Sequence, residues 1–278
     1  MSFHNGISED GVIARPVLLA PPVDAHKYAR GAALVFSGPA LRTGASRLTA
    51  QAALAVGAGL VTLVGEPDAL HEHAAQVTAI MLREEGDKID DRVRAAAIGP
   101  GAGVSAQTRN RVLRLLHHGV PLAIDADAIT AFEGQPAELF AALHDQAVLS
   151  PHEGEFARLF PAIDLADRLM AVRLAAERSG AVVLLKGPET LIAAPDGRWA
   201  INRHASPWLA TAGSGDVLTG LICGVMAQGS GAFEAACIAA WLHGDIGVRG
   251  GPGLTADRMV DLIPDVMRGC LSNDTSPP

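Results

Sequence analysis

The chain has 278 residues, a formal net charge of −8 and 4% aromatic residues. An acidic chain this poor in aromatics lacks the basic patches and stacking platforms that nucleic acids need, so a nucleic-acid partner is excluded. With 49% hydrophobic and 19% charged residues, it has the apolar text for a large core and is not of disordered composition.

Residues 1–26, with Pro16, Pro21 and Pro22, read as an extended arm. The polar, acidic opening MSFHNGISED is no signal peptide. AALVFSG (32–38) is a short apolar run closed by glycine, the pattern of a buried strand. The Ala-rich stretch 43–59 predicts a helix with a glycine stop, and LVTLVG (60–65) the next strand. EPDALHEHAAQ predicts a short helix with Pro67 in its first turn, and TAIML (78–82) a further strand. AAAIGPGAG (95–103) is a strand running into a glycine loop, followed by a helix capped at Ser105. VPLAIDADAIT reads as strand and turn, QAVLSPHEGEFARLF as strand, turn and helix, and DLADRLMAVRLAAERSG as an amphipathic helix. AVVLLKG and TLIAA are strands, and PDGRW is a turn, so a hairpin-like return is expected. Three helices, 214–228, 233–249 and 255–270, close the chain before a frayed tail, 271–278. Their apolar text holds Cys223, Cys237 and Cys270, which share no CxxC spacing and read as buried free thiols. No run reaches the roughly 18 apolar residues of a membrane span, so the chain reads as cytoplasmic, without a membrane partner.

Strand–helix alternation over 27–270, with strands apolar on both faces, predicts an α/β domain: a mostly parallel sheet covered by helices on both sides. In such a sheet, ligands sit beyond the carboxyl ends of the strands. The loops expected there, SGPALRTGAS, GPGAG, DADA, SPHEGE, KGPET and TAGSGD, concentrate glycine and acids. Three familiar motifs are absent. No GxxxxGK[ST] string occurs, Gly99, Gly101 and Gly103 are spaced GxGxG rather than GxGxxG, and His152, Glu153 and Glu155 do not make HExxH.

TAGSGDVLTG (211–220) places Asp216 at the start of an apolar helical run, behind small residues that leave the backbone open. A helix N-terminus of this kind carries about half a unit of positive charge and suits an oxyanion. The bland alternative is a helix-capping Asp, but a cap has no need of Gly213 and Gly215. Lys186 ends a buried strand, where lysine is uncommon without a partner; a surface turn is the alternative. Gly101 and Gly103 admit close approach of a ligand, or only a tight turn. Asp125 and Asp127 sit at a strand end, as support for magnesium or the loop, or as caps. Glu155 and His152 read otherwise as an N-terminal charge pair. Lys27, His71, His73, His117 and His118 read as surface residues.

In this order, HKYARG, TGAS…AALAVGAGLVTL, IGPGAG, IDADAIT, SPHEGEFARLF, LLKGPET and TAGSGDVLTGLICG resemble the ribokinase-like superfamily. More narrowly, over about residues 26–268, they resemble its ADP-dependent NAD(P)H-hydrate dehydratases. The resemblance implies a three-layer α/β/α sandwich without a separate lid domain. It also implies repair of hydrated NADH or NADPH at the expense of ADP or ATP with Mg2+, by phosphorylation of the 6-hydroxyl and loss of phosphate. It assigns Asp216 as the base, and Ala45, Gly101, Gly103, His152 and Asp216 to the hydrated dinucleotide. Lys186, Gly187, Pro188, Glu189 and Thr190, with Gly213, Ser214 and Gly215, fall to the nucleotide. Glu155 is assigned to metal through a water. The resemblance further implies a homo-oligomer, a tetramer. Many relatives carry an epimerase domain ahead of this one. The residues before 26 are too few for it, so the chain reads either as the dehydratase alone, with a separate epimerase as partner, or as a piece of a longer protein. The alternatives are a small-molecule kinase of the same fold, acting on a vitamin precursor or sugar, and a non-catalytic nucleotide sensor.

Overall fold

The computed structural model describes residues 2–4, 6–22, 24, 26–86 and 88–271; of the expected tail, 272–278 lie outside them. Strands β1 (Ser2–His4) and β2 (Val17–Leu19) form a two-stranded antiparallel ribbon. β3 (Ala32–Phe36), α1 (Thr43–Ala55), β4 (Leu60–Gly65), α2 (Pro67–Ala74) and β5 (Met81–Glu84) follow. Then come β6 (Val93–Ile98), α3 (Ala106–His117), β7 (Leu122–Ile124), α4 (Asp127–Thr130), α5 (Pro136–Ala142) and β8 (Ala147–Leu149). α6 (Glu153–Leu159), α7 (Arg168–Ser179), β9 (Val182–Leu185), β10 (Thr190–Ala193) and β11 (Trp199–Asn202) lead to the closing helices. These are α8 (Ser214–Ala227), α9 (Ala232–Gly250) and α10 (Ala256–Cys270).

Nine strands form one sheet in the order β11-β10-β9-β8-β7-β6-β3-β4-β5. β3 to β9 run parallel, and β10 and β11 add the antiparallel return that PDGRW foretold. Parallel strands are buried on both sides, which is why β3, β7, β8 and β9 are apolar without alternation. One core packs α1, α8, α9 and α10 against the Ala33, Val35, Ala97 and Val148 face; the other packs α3 to α7 against Leu34, Ile98, Ile124 and Leu149. The result is the expected three-layer α/β/α sandwich.

The arm is bound to this sandwich at several points. Ile13 and Leu18 are buried in the first core, and the Ile13 amide donates to the Ile201 carbonyl at 3.0 Å. Cys223, Cys237 and Cys270 are buried free thiols, as the sequence indicated, and burial pushes Cys223 up to about 12. His73 corrects the surface reading. It is fully buried, with Nε2 2.8 Å from Ser37 Oγ, and burial beside Arg47 lowers its pKa to about 4. Its place in α2 turns it inward beneath the loop that follows β3, on the face opposite His71.

Candidate active site

The strand order reverses between β3 and β6, because β4 and β5 lie to one side and β7 to β11 to the other. A crevice opens at the carboxyl ends of strands at such a switch point. The loops after β3 and β6 meet there. A Cβ on Gly101 would lie 2.6 Å from the Arg42 carbonyl oxygen and 3.2 Å from the Ala45 Cβ, and its φ is +68°. Only glycine meets both demands without strain. The Gly103 amide donates to Asp127 Oδ2 at 2.8 Å, which joins this loop to the one after β7.

Asp125 directly follows β7 and is almost completely buried. Lys186 Nζ donates to its Oδ1 at 2.7 Å, and Thr219 Oγ1 of α8 donates to its Oδ2 at 2.7 Å. The turn from Asp125 to Asp127 passes through Ala126, whose φ of 48° is the only positive one at a non-glycine among the described residues. Backbone strain of this sort costs about 1–3 kcal/mol and is held in place by its surroundings. Here the Asp125 side chain also accepts the Ala126 amide at 2.8 Å.

Asp216 lies in the first turn of α8. Burial, and the nearby Asp125 charge, raise its pKa to about 6 against the opposing effect of Lys186. A carboxylate poised there is suited to accept a proton near neutral pH. Its backbone carbonyl lies 3.0 Å from Thr49 Oγ1 of α1. The Lys186 ammonium would be lowered by burial alone, but Asp125 and Glu155 raise it and keep it charged.

Glu155 and His152 form a capping box on α6. The His152 amide donates to Glu155 Oε2 at 2.9 Å, while His152 Nδ1 accepts from the amides of Gly154 and Glu155. Glu155 Oε2 is also 3.8 Å from Lys186 Nζ. Glu155 is thus already engaged as anchor and counter-charge. Among the described residues, no three His, Cys, Asp or Glu side chains converge as a metal cage. The Glu155 and Asp127 carboxylates each accept a backbone amide, so a cation here would be reached through water, the usual habit of magnesium.

Beside this cluster lies a cavity of about 810 Å³, lined by His152, Lys186, Gly187, Pro188, Ser214 and Gly215 among others. One wall is the 202–211 loop and another is α9, through His243 and Gly244. That volume suits a nucleotide-sized ligand.

A family model for NAD(P)H-hydrate dehydratase matches residues 33–261. The chain belongs to that family. It is 39% identical over 246 residues to the bifunctional NAD(P)H-hydrate repair enzyme Nnr of Synechocystis, a match covering 83% of this chain and 46% of that protein. The chain therefore spans about half the length of the repair enzymes it matches. A Bacillus subtilis structure, ADP/ATP-dependent NAD(P)H-hydrate dehydratase co-crystallized with ATP/Mg2+, is similar with a TM-score of 0.80 and 25% identity, over 91% of this chain and 95% of that one. A hydroxyethylthiazole kinase from Pyrococcus horikoshii, at TM-score 0.59 and 16% identity over 87% of this chain and 92% of that one, shares the fold alone.

Within the dehydratase family frame, the anticipated residues divide between two places. His152, Lys186, Gly187, Pro188, Thr190, Ser214 and Gly215 line the cavity. Ala45, Gly101 and Gly103 stand at the switch-point crevice, and Asp216 lies near the Asp125–Lys186 pair. Glu189 and Gly213 are outside the cavity lining; the Glu189 carboxylate pairs with Arg203 at 2.9 Å. Gly213 instead supplies a left-handed entry to α8, with φ 87°. Sequence reasoning missed Thr219 and His243. Thr219 carried a faint signal, since it lies one turn past Gly215. His243 was flagged only by being a polar ring in the apolar text AAWLHGD.

Proposed function

We propose that this protein removes the added water from hydrated NADH or NADPH, using ADP or ATP. One observation carries the reading: a half-buried Asp216, raised to about 6, follows directly on Ser214 and Gly215 of the nucleotide-sized cavity, and its backbone carbonyl meets Thr49 of α1, the helix that carries Ala45. The nucleotide lies in the cavity with its terminal phosphate at Ser214 and Gly215, and the hydrated ring lies at Ala45, Gly101 and Gly103 with His152 nearby. Asp216 takes the proton of the 6-hydroxyl as that oxygen attacks the terminal phosphorus. The phosphorus–oxygen bond to AMP breaks when ADP is the donor. The 6-phosphate then departs with the carbon–oxygen electron pair, a neighbouring ring carbon loses its proton, and the double bond returns. Hydroxide is a poor leaving group and phosphate a good one, which is what the nucleotide contributes.

The backbone amides of α8 stabilise charge on the transferring group, a contribution typical of preorganised donors. Lys186 balances the Asp125 and Glu155 carboxylates and presents its ammonium along the cavity wall. Magnesium, when bound with the nucleotide, would neutralise phosphate charge; Glu155 and Asp127 would hold its water shell.

The test is incubation with hydrated NADH and ADP, following reduced-nicotinamide absorbance and AMP together. AMP should appear in step with NADH. Recovery of NADH without any nucleotide overturns the route, and a stable phosphorylated product indicates a kinase instead. Among the described residues, no helix is long and apolar enough to cross a membrane. This accords with a cytoplasmic repair enzyme. A homo-oligomer and a separate epimerase partner complete the proposal.

A further inference from the structure

We propose that His243 is a positioning residue that aims the two anion donors at the start of α8, the Gly215 amide and the Ser214 hydroxyl. This rests on the reading that phosphate is held at that helix end. His243 Nε2 lies 3.0 Å from the Ser214 carbonyl oxygen and 3.0 Å from Ser214 Oγ. A carbonyl can only accept, so Nε2 carries the proton and Nδ1 is bare. Burial favours the uncharged ring and, with Lys186 nearby, lowers its pKa to about 4.

Two consequences follow from this tautomer. The peptide joining Ser214 to Gly215 is planar and trans, so its C=O and N–H point in opposite directions. Fixing the Ser214 carbonyl toward α9 therefore turns the Gly215 N–H toward the opposite side. Gly215 itself lines the cavity and lies by the Lys186–Asp125 pair, since a Cβ on it would be 3.5 Å from Lys186 Nζ and 3.8 Å from Asp125 Oδ2. The second consequence concerns the hydroxyl. Ser214 Oγ meets an N–H from His243 and so acts as acceptor there, which leaves its own proton free to donate. Ser214 and His243 both line the cavity, so that proton can reach a phosphate bound there. Gly213 offers no side-chain cap, and His243 of α9 supplies a side-chain hold on this end of α8 instead.

The experiment compares ADP with adenosine by calorimetry, in the absence of hydrated substrate, for wild type, His243→Leu and His243→Gln. Leucine fills the volume but has no N–H; glutamine can return an amide N–H to the Ser214 carbonyl. His243→Leu should lose about tenfold or more in ADP affinity, the scale of a charge-assisted hydrogen bond, with adenosine affinity unchanged. His243→Gln should recover most of the loss. A wall residue with no aiming role would weaken both ligands alike, and that result, or unchanged ADP affinity in the leucine variant, overturns the proposal. Nitrogen-15 NMR of the histidines in the unsubstituted protein provides a check that needs no variant. An Nε2–H ring at neutral pH is expected, and an Nδ1–H ring overturns it. Because binding is read without turnover, failure of the dehydration reading and failure of this inference remain distinguishable.

Discussion

The two helical layers of the sandwich pack by different means. On the side of α1 and α8 the contact is made of small residues: a Cβ on Gly220 would lie 2.2 Å from the Thr49 carbonyl oxygen, and one on Gly224 would lie 2.6 Å from that of Ala53. On the side of α3 to α7 the contact is made of Phe132, Leu139, Phe156 and Phe160, all fully buried, with the Phe156 and Phe160 rings 4.9 Å apart. Large side chains bury more apolar area and supply more stability. Backbone held against backbone supplies less area but leaves little slack. The helix that carries Asp216, α8, lies in the backbone-to-backbone contact, so Asp216 is placed by the layer with the least freedom to adjust.

Asp216→Asn should give the largest effect, a loss of about 10²–10⁴ in turnover, the usual worth of a general base. Single-turnover measurement of phosphoryl transfer reads it. Stability should move the other way. A carboxyl whose folded pKa is raised stabilises the fold below its unfolded pKa, and that contribution fades as pH rises through about 6. The Asn variant should therefore unfold at a higher temperature than wild type at pH 7 and show no such gain at pH 4. Wild-type turnover in this variant would reduce Asp216 to a structural group.

A pair of core substitutions breaks the comparison between the layers directly. Leu139→Ala should destabilise by about 2–5 kcal/mol through the cavity it leaves, with turnover unchanged at temperatures where the protein is folded. Gly220→Ala should cost less stability, about 1–3 kcal/mol for overpacking. It should nevertheless lose more turnover, because α8 must move away from Thr49, and a shift of about 1 Å can cost about 10²-fold. Chemical denaturation and steady-state kinetics on both variants decide whether the small-residue contact sets the site. Equal retention of turnover would show that it does not.

Lys186→Ala should weaken ADP binding by about tenfold. It also leaves Asp125 without its ammonium, so ionising Asp216 becomes harder. The acid limb of the turnover profile should move to higher pH, because Lys186 is the group that opposes the rise. The smallest effect is in the wild type itself: turnover should fall below about pH 6 as Asp216 takes up its proton, which a pH–rate profile checks.

Much of this was legible in the text. Strand–helix alternation, the apolar strands and the glycine-rich loops named the architecture, and the order of those loops named the family. Lys186, at the end of an apolar run, announced a partner without saying which. The text could not show that the partner is Asp125, 61 residues away along the chain. It could not show that His73 turns inward to Ser37 while His71 faces out, because both fit a short, weakly patterned helix. Nor could it sort the candidate residues between crevice and cavity, or bring His243 of α9 to Ser214 of α8.

The sequence by itself determined what depends on neighbours in the chain: which segments are strands or helices, where glycine opens the backbone, and which residue types can do acid–base work. Tertiary structure alone decided the pairing of Lys186 with Asp125, the raised pKa of Asp216 and the hold of His243 on the Ser214 carbonyl. Each of these depends on burial and on charges or dipoles a few ångströms apart in space, and those distances exist only once the sheet has brought its carboxyl ends together.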